Sequence, residues 1–598
     1  MNQDLVDQIN EFLKYDKNPE TIKEITQAIG NLSRMFTPRI EFGTAGLRGF
    51  MGAGYANMND LIIIQATQGI CKVLQKNPKK LENGVMLGFD GRYNSEKWAK
   101  LTASVFLRKN IKVYLHDKVV PTPYVAYGVK KFNCCAGIMI TASHNRKEDN
   151  GYKVYWDNGA QIISPIDKEI TSSIKDSLQP EFDYYDKLDV MNHPKLINPM
   201  PVLEEAYLDD IFRESCYNYH FNGNSLIKVA YSAMHGVGYE RVNRIMEKFG
   251  FSPVIPIKEQ VDPNPDFPSV RHPNPEEPSS LELAIKFCDK EDIPIILAND
   301  PDADRLALAE KVEGKWHIFT GNEIGTMLSV WCYQNFMKRN PNFDKSKLWM
   351  ISSTVSSKFL KTLADKEGFN WTDTLTGFKW MGNLIDKLYQ EDPSLKVIFA
   401  YEEAIGFMPN DIVWDKDGVS TSAVARELIA SLYSEGKTLF TYLDGIYSKY
   451  GYHICRNGYY ISDDALKTRK MFDELRNWSK GDEFCHSVMI DGIKVLYPKY
   501  CSYFEVANIR DLSLNYDSET MDSKPKLPAS KSSEFLTFKF KQGITLSLRT
   551  SGTEPKIKYY TEMISRPDEK REVIEAKLDE FIKAMVNYFY RPKIYGFS

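Results

Sequence analysis

Short apolar runs alternate with amphipathic helical stretches along roughly the first three quarters of the chain, and few architectures accommodate that alternation. GVMLGFD, KVYLHD, CAGIMIT, LIKVAYS, IPIILAND, KLWMISS and KVIFAYE each read as a short buried strand closed by a turn or a polar residue. Between them, NDLIIIQATQGICKVLQK and SAVARELIASLYSEG carry helical spacing. Strands that alternate with helices predict α/β domains built on mixed or parallel sheets. At 598 residues the chain is too long for one core, so several domains are expected.

Punctuation suggests where they part. A polar, proline-bearing stretch from Pro180 to Pro201 ends a first domain, and another break is expected just after Lys311. The proline-crowded segment Pro253–Pro278 reads as a long surface loop without regular structure. The last quarter has a different texture. It has longer polar loops, a loose stretch near Ser513–Ser533, strands in EFLTFKF and GITLSLRTSG, and a terminal amphipathic helix from Asp568 onward. That texture is more α+β than α/β. The expected division is 1–200, 201–320, 321–452 and 453–598. No repeat is visible in the residues themselves.

The formal net charge is -4, which disfavours binding to nucleic acid by phosphate neutralisation. Any anion site must therefore be local. Nine scattered cysteines without a C-x-x-C pair argue against a disulfide framework and a zinc cluster. MNQDLVDQINEFLKYD lacks the basic and apolar regions of a signal peptide, and no apolar run approaches the about 18 residues of a membrane span. A cytoplasmic protein that engages neither nucleic acid nor membrane is expected. Its oligomeric state is left open.

Four segments carry chemistry. In GIMITASHNRKEDNGYKVYW the apolar run stops at TASHN, so Ser143 sits at the mouth of a buried strand, where ligands of α/β sheets bind. On an extended chain Ser143 and His144 would point to opposite sides, and no G-x-S-x-G elbow is present, so a hydrolase triad is disfavoured. Ser143 suits a hydroxyl that accepts and returns a phosphoryl group. His144 and Lys153 are then placed to move protons or stabilise charge. A polar capping loop is the plainer alternative. The second segment, ANDPDADRLALAE, spaces Asp300, Asp302 and Asp304 by two. In an extended segment that puts all three on one side, as a Mg²⁺ site awaiting a phosphate oxygen requires. Arg305 follows and would reach a phosphate. The plainer alternative is a solvated acidic turn.

The third segment, LRTSGTEPK, gathers Arg549, Ser551, Gly552, Thr553 and Lys556 after an alternating strand. Backbone amides, hydroxyls and a forked cation could there surround an oxyanion. It is no Walker A loop. The fourth comprises TLTGFKWMG, with Gly377, Lys379 and Trp380, and YEEAIGF, with Glu402 and Glu403. Both suit the reading of sugar hydroxyls, against the alternatives of a core tryptophan and solvated acids. Phosphoryl transfer needs a nucleophile, a metal and placed cations. A kinase or hydrolase would not need a second, distant phosphate cradle. A mutase would, because its bisphosphate intermediate must turn over.

TASHN, the D-x-D-x-D-R run and RTSGTEP, in that order, resemble the α-D-phosphohexomutase superfamily. EFGTAGLRGFMGAG followed by MNDLIIIQATQG is similar to its phosphoglucomutase-2/phosphopentomutase branch. The resemblance covers nearly the whole chain. It implies three similar mixed α/β domains plus a C-terminal α+β, TATA-box-binding-protein-like domain around a central cleft. In chain order these would be phosphoserine, metal-binding, sugar-recognition and phosphate-binding domains. It further implies that Ser143 is a phosphoserine and fourth metal contact, with Asp300, Asp302 and Asp304 as Mg²⁺ ligands. Arg48, Arg305, His144 and Lys153 would line the catalytic side. Gly377, Lys379, Glu402 and Glu403 would orient the sugar, and Arg549, Ser551, Gly552, Thr553 and Lys556 would hold the non-reacting phosphate. Glucose 1,6-bisphosphate would prime the serine.

Two departures stand out. Where the family often has D-G-D-G-D-R, this chain has Asp-Pro-Asp-Ala-Asp-Arg, and where it has E-E-S this chain has Ala404 in the serine place. The first would stiffen the metal loop. The second removes a hydroxyl contact and puts hexose preference in doubt. The expected reaction interconverts glucose 1- and 6-phosphate, with small sugar phosphates as the partners. Phosphopentomutase or glucose 1,6-bisphosphate synthase activity is the alternative. A metal-dependent phosphatase, a serine hydrolase or a silent sugar-phosphate sensor are the rivals of other classes.

Overall fold

The computed structural model describes residues 3–28, 30, 32–43, 46–183, 190–462, 464–478, 481–529, 533–551, 555–566 and 569–598. The chain divides into two compact units. The first holds residues 1–353, 368–372 and 376–440, and the second holds 354–367, 373–375 and 441–598.

The first unit contains three sheets built on one plan. In the first sheet the strands are β1 (Leu47–Phe50), β2 (Val85–Phe89), β3 (Val113–Leu115), β4 (Ala136–Ile140), β5 (Asp149–Trp156) and β6 (Leu196–Ile197), in the order β1-β5-β4-β2-β3-β6. The second has β7 (Val229–Ser232), β8 (Ile255–Pro256), β9 (Ile295–Ala298), β10 (Ala307–Val312) and β11 (Lys315–Phe319), in the order β11-β10-β9-β7-β8. The third has β12 (Leu348–Ser353), β13 (Asn370–Thr374), β14 (Lys396–Glu402) and β15 (Gly406–Met408), in the order β13-β12-β14-β15. In each sheet a parallel strand is followed directly by an antiparallel return strand: β4 by β5, β9 by β10, β14 by β15.

All seven apolar runs form strands at the expected places. They are buried on both faces because helices cover the sheets. The helix Asp60–Leu74 is buried almost all round. Asn59 caps it by accepting the Ile62 N–H at 3.1 Å, and the Gln65 and Gln68 amides donate to carbonyls of Leu178 and Ser177.

Lys311 lies near the end of β10, paired with Trp316 of β11. One expectation about connections does not hold. The segment Pro253–Pro278 is not merely a surface loop. It contributes β8, a 3₁₀ turn at Lys258–Gln260 and the buried side chains of Phe267 and Val270. Its prolines forbid a long helix or ladder but leave short pairings available.

The second unit is an antiparallel sheet with helices Ala465–Arg476 and Arg571–Met585 on one face. Ile454, Phe472, Leu546, Leu548, Ile574 and Phe581 form part of its core. The stretch near Ser513–Ser533 is tied down within its described residues: Tyr516–Asp517 pairs with Phe504–Asp511, and Leu527 is buried. The terminal helix, expected from Asp568, is Arg571–Met585; residues 567 and 568 lie outside the described residues.

Candidate active site

The three loops that join each parallel strand to its return strand carry Ser143, His144, Asp300, Asp302, Asp304, Arg305 and Glu403, and all lie in the first unit. Each contains one non-glycine residue in the left-handed region: Ser143 at φ 54°, Ala303 at φ 52° and Ile405 at φ 52°. Left-handed backbone costs an L-residue roughly 1–2 kcal/mol, so each loop must be held by its surroundings.

At the first loop the Ser143 Oγ donates to Asp300 Oδ2 at 2.7 Å. The nucleophile candidate thus meets the carboxylates of the second sheet directly. His144 Nδ1 lies 3.4 Å from the same oxygen. The extended-chain expectation, which separated the two side chains, fails because Ser143 is left-handed. Burial, followed by the nearby Arg305 and Arg48, holds the His144 pKa well below the usual imidazole range.

Asp300, Asp302 and Asp304 each place one oxygen within 4.8 Å of the others, and all three are fully buried. They converge through a turn rather than an extended segment. Ala303, left-handed at φ 52°, makes the bend. The turn is packed from behind: a Cβ on Gly236 would lie 2.3 Å from Pro301 Cα, and the Val237 N–H donates to the Pro301 carbonyl at 2.9 Å. Burial and the two neighbouring carboxylates push the Asp300 pKa well up. Burial opposes ionisation of Asp302 as well, but Lys153 outweighs it and the pKa falls. Asp302 Oδ1 and Asp304 Oδ1 are buried without a hydrogen-bond partner among the described residues. Three hard oxygen donors, two of them orphaned, fit a divalent cation such as Mg²⁺.

Cations surround this group. Lys153 Nζ lies 2.7 Å from Asp302 Oδ2 and 2.9 Å from Asp304 Oδ2, and Thr122 Oγ1 donates to Asp302 at 2.5 Å. Burial works against the Lys153 ammonium, but the two aspartates more than offset it and its pKa is raised. Arg305 Nε is 3.7 Å from both Asp300 and Asp304, and its Nη1 donates to the Ala404 carbonyl at 2.9 Å. Arg48 donates to Asn145 Oδ1 at 3.4 Å, beside the serine.

Lys416, to which the sequence reading assigned nothing, reaches Asp304 at 3.4 Å and Asp415 at 3.6 Å. It passes Gly406, where a Cβ would sit 2.3 Å from Lys416 Cδ. Asp415 is in turn held by Tyr155 and Gln161, both at 2.8 Å. In WDKDG the lysine looks like an ordinary solvated charge, and no local signal distinguishes it.

The sugar-loop candidates flank this cluster unevenly. Glu402 ends β14 and is buried, which raises its pKa against the opposing pull of Lys416 and Arg305. Glu403 accepts the Ser353 hydroxyl at 2.8 Å. Gly377 turns the chain at φ 102° into the helix Phe378–Glu391, and Lys379 lies in that helix's first turn, a corner suited to an anion. Trp380 is half-buried rather than core. In the second unit, Arg549 lies in the strand Ile544–Thr550, which pairs with the antiparallel strand Lys556–Ile564. The Ser551 N–H donates to the Lys556 carbonyl at 2.9 Å, and the Lys556 ammonium lies over the Tyr459 ring. Gly552 and Thr553 lie outside the described residues.

Comparisons with known proteins bear on the family of the whole chain. The chain matches the descriptions "Phosphoglucomutase/phosphomannomutase, alpha/beta/alpha domain I" over residues 39–181, domain II over 205–314 and domain III over 320–450. It is 44% identical to mouse phosphopentomutase, over 98% of this chain and 94% of that protein. It is 41% identical to human glucose 1,6-bisphosphate synthase, over 98% and 94%. Among solved structures, the exocytosis-sensitive phosphoprotein pp63/parafusin, a phosphoglucomutase from Paramecium in an open form, matches with a TM-score of 0.64 at 18% identity, over 92% of this chain and 95% of that one. That likeness concerns the fold. The chain therefore belongs to the phosphoglucomutase/phosphomannomutase family of the α-D-phosphohexomutase superfamily, and it is a phosphotransferase of the isomerase kind.

Proposed function

We propose that this enzyme moves a phosphoryl group between two hydroxyls of one sugar through a phosphorylated Ser143. In this reading its substrates are pentose 1- and 5-phosphates, with glucose 1- and 6-phosphate as the second pair. The observation that carries the mechanism is the 2.7 Å contact between the Ser143 oxygen and Asp300, at the edge of the carboxylate trio. The phosphoserine gives its phosphoryl group to the free hydroxyl of a sugar monophosphate. The resulting bisphosphate turns over, and its other phosphoryl group returns to Ser143.

His144 is close enough to the serine oxygen to exchange the hydroxyl proton. Lys153, Arg305 and Lys416 place positive charge where the transferring oxygens gather. Asp300, Asp302, Asp304 and the Ser143 oxygen would hold Mg²⁺, which would neutralise phosphoryl charge when bound. Arg549, Ser551, Gly552, Thr553 and Lys556 would grip the non-reacting phosphate, Gly377 with Lys379 would orient the sugar, and Glu402 with Glu403 would accept its hydroxyls. Glucose 1,6-bisphosphate would prime the serine. The four-part division 1–200, 201–320, 321–452 and 453–598 belongs to the same reading.

The pentose preference is supported by the phosphopentomutase relative and by Ala404, whose side chain has no hydroxyl and whose carbonyl is taken by Arg305. Relative kcat/KM on ribose 1-phosphate and glucose 1-phosphate tests the preference. Turnover of neither sugar sinks the mutase reading. Net bisphosphate formation from 1,3-bisphosphoglycerate would favour the synthase reading that the other relative raises. Intact mass shows whether wild type carries a phosphoryl adduct that substrate removes, and Ser143→Ala should carry none.

A further inference from the structure

The left-handed backbone of Ser143 requires a restraint, and one buried ion pair supplies it at both ends of the residue. Arg92 is 5% exposed. Its Nη2 donates to the carbonyls of Ser143 at 2.6 Å and Asn145 at 2.7 Å, and its Nη1 to those of Arg146 at 2.8 Å and Asp149 at 3.2 Å. The two terminal nitrogens thus satisfy four carbonyls of the nucleophile loop. The remaining nitrogen, Nε, faces Asp90 Oδ2 at 3.3 Å.

Asp90 holds the other end of the serine. Its Oδ2 accepts the Thr141 hydroxyl at 2.6 Å, and the Thr141 oxygen accepts the Ser143 N–H at 2.9 Å. Ser95 and the Arg92 N–H fix the other carboxylate oxygen, at 2.6 and 3.0 Å. The carbonyl of Ser143 is therefore tied to Arg92 and its N–H, through Thr141, to Asp90. From the far side, the Arg92 guanidinium lies 5.0 Å from the Phe267 ring, and a Cβ on Gly91 would meet Pro263 at 2.8 Å. Tyr93 and Lys147 both bond Asp266, at 2.9 and 3.1 Å. The proline-rich loop of the second sheet thereby backs the clamp.

We infer that Asp90 and Arg92 are a positioning pair: they hold Ser143 left-handed so that its oxygen faces Asp300, without touching the sugar phosphate themselves. The inference rests on the reading of Ser143 as the phosphoryl carrier. A lysine cannot replace Arg92, because one ammonium with three N–H groups cannot span four carbonyls. What the pair controls is an ångström-scale aim, and a 1 Å misplacement of a reacting group costs about 10²-fold in rate.

The test uses full-length Arg92→Ala and Arg92→Lys, with folding checked by circular dichroism and Ser143 phosphorylation followed by intact mass. Both should lose about 10²-fold in kcat on ribose 1-phosphate, with KM changed less than about threefold. Added guanidinium should restore part of the Arg92→Ala rate, and the lysine variant should stay slow. A merely structural role would lower the folded fraction but leave kcat per folded molecule intact. Folded Arg92→Ala with kcat within about threefold of wild type overturns the inference.

If neither arginine variant folds, Thr141→Val and Thr141→Ser decide. The valine should lose more than about tenfold in kcat while the serine, which keeps the hydroxyl, stays near wild type. Equal rates for Thr141→Val and wild type overturn the clamp. Wild type that never carries phosphate on Ser143 after glucose 1,6-bisphosphate would instead sink the underlying reading. A phosphorylated wild type beside an unimpaired Arg92→Ala sinks the clamp alone.

Discussion

Replacing Lys153 with methionine keeps the side chain's length and removes one buried positive charge from between Asp302 and Asp304. Both ion pairs, at 2.7 and 2.9 Å, are lost together, and the carboxylates involved are fully buried. Removing one partner of a buried pair costs about 3–5 kcal/mol, because the remaining charge stays buried without compensation. For a cooperative unit as large as the first one, that is a fall of about 3–6 °C in melting temperature. The same two carboxylates are the ones whose other oxygens have no hydrogen-bond partner among the described residues and suit a divalent cation. Mg²⁺ should therefore compensate for the missing lysine. A Kd for Mg²⁺ about 100-fold tighter in the variant than in wild type would recover about 2.7 kcal/mol, half or more of the loss.

The assay is thermal melting of wild type and Lys153→Met in chelator and in excess Mg²⁺, with Asp302→Asn and the double variant completing the cycle. The large loss should occur in chelator and shrink with Mg²⁺. The double variant should be more stable than the two single losses add up to, because Asp302→Asn removes the charge left uncompensated. A loss of equal size with and without Mg²⁺, or no coupling between the two substitutions, would refute the argument that lysine and cation serve the same carboxylates.

Two further outcomes follow from packing and titration. Gly236→Ala puts a methyl against Pro301 and should cost about 1–3 kcal/mol. It should also raise the Mg²⁺ concentration for half-maximal activity several-fold, and an unchanged Mg²⁺ titration would show that the metal loop does not lean on that contact. His116 is fully buried with neither ring nitrogen bonded among the described residues, and burial, then Arg241, pushes its pKa from 6.5 down to about 3. Above pH 6.5 it is neutral in both states and adds nothing. Below that, only the unfolded chain gains the proton, so stability falls by about 1.4 kcal/mol per pH unit until about pH 3. Urea midpoints at pH 6.5 and pH 5 should thus drop more in wild type than in His116→Leu, by about 2 kcal/mol; equal drops would contradict a buried neutral imidazole.

Several features were legible before any coordinate because they depend on neighbours in the chain. Strand runs such as CAGIMIT and KVIFAYE are continuous apolar segments between turns. Burial on both faces requires that composition, and all seven became strands. Ser143 and the three aspartates were also visible, since each follows a buried strand directly. Other readings failed where backbone conformation overrode local geometry. Ser143 and His144 were separated on the assumption of an extended chain, yet a left-handed serine brings their side chains to 3.4 Å. The aspartates were placed on one side of an extended segment, yet they converge by a turn at Ala303.

What the residues determined by themselves was the α/β class, the change of texture in the last quarter, and a candidate nucleophile, carboxylates and cations in segments far apart along the chain. They did so because burial and turn formation are read over a few neighbours. Only the tertiary structure decided that Ser143 meets Asp300, that Lys416 and Arg92 join the same site, and that three sheets without visible sequence similarity share one plan. Those contacts join residues dozens to hundreds of positions apart. They arise from how packed sheets set the ends of their strands side by side, which no stretch of sequence records locally.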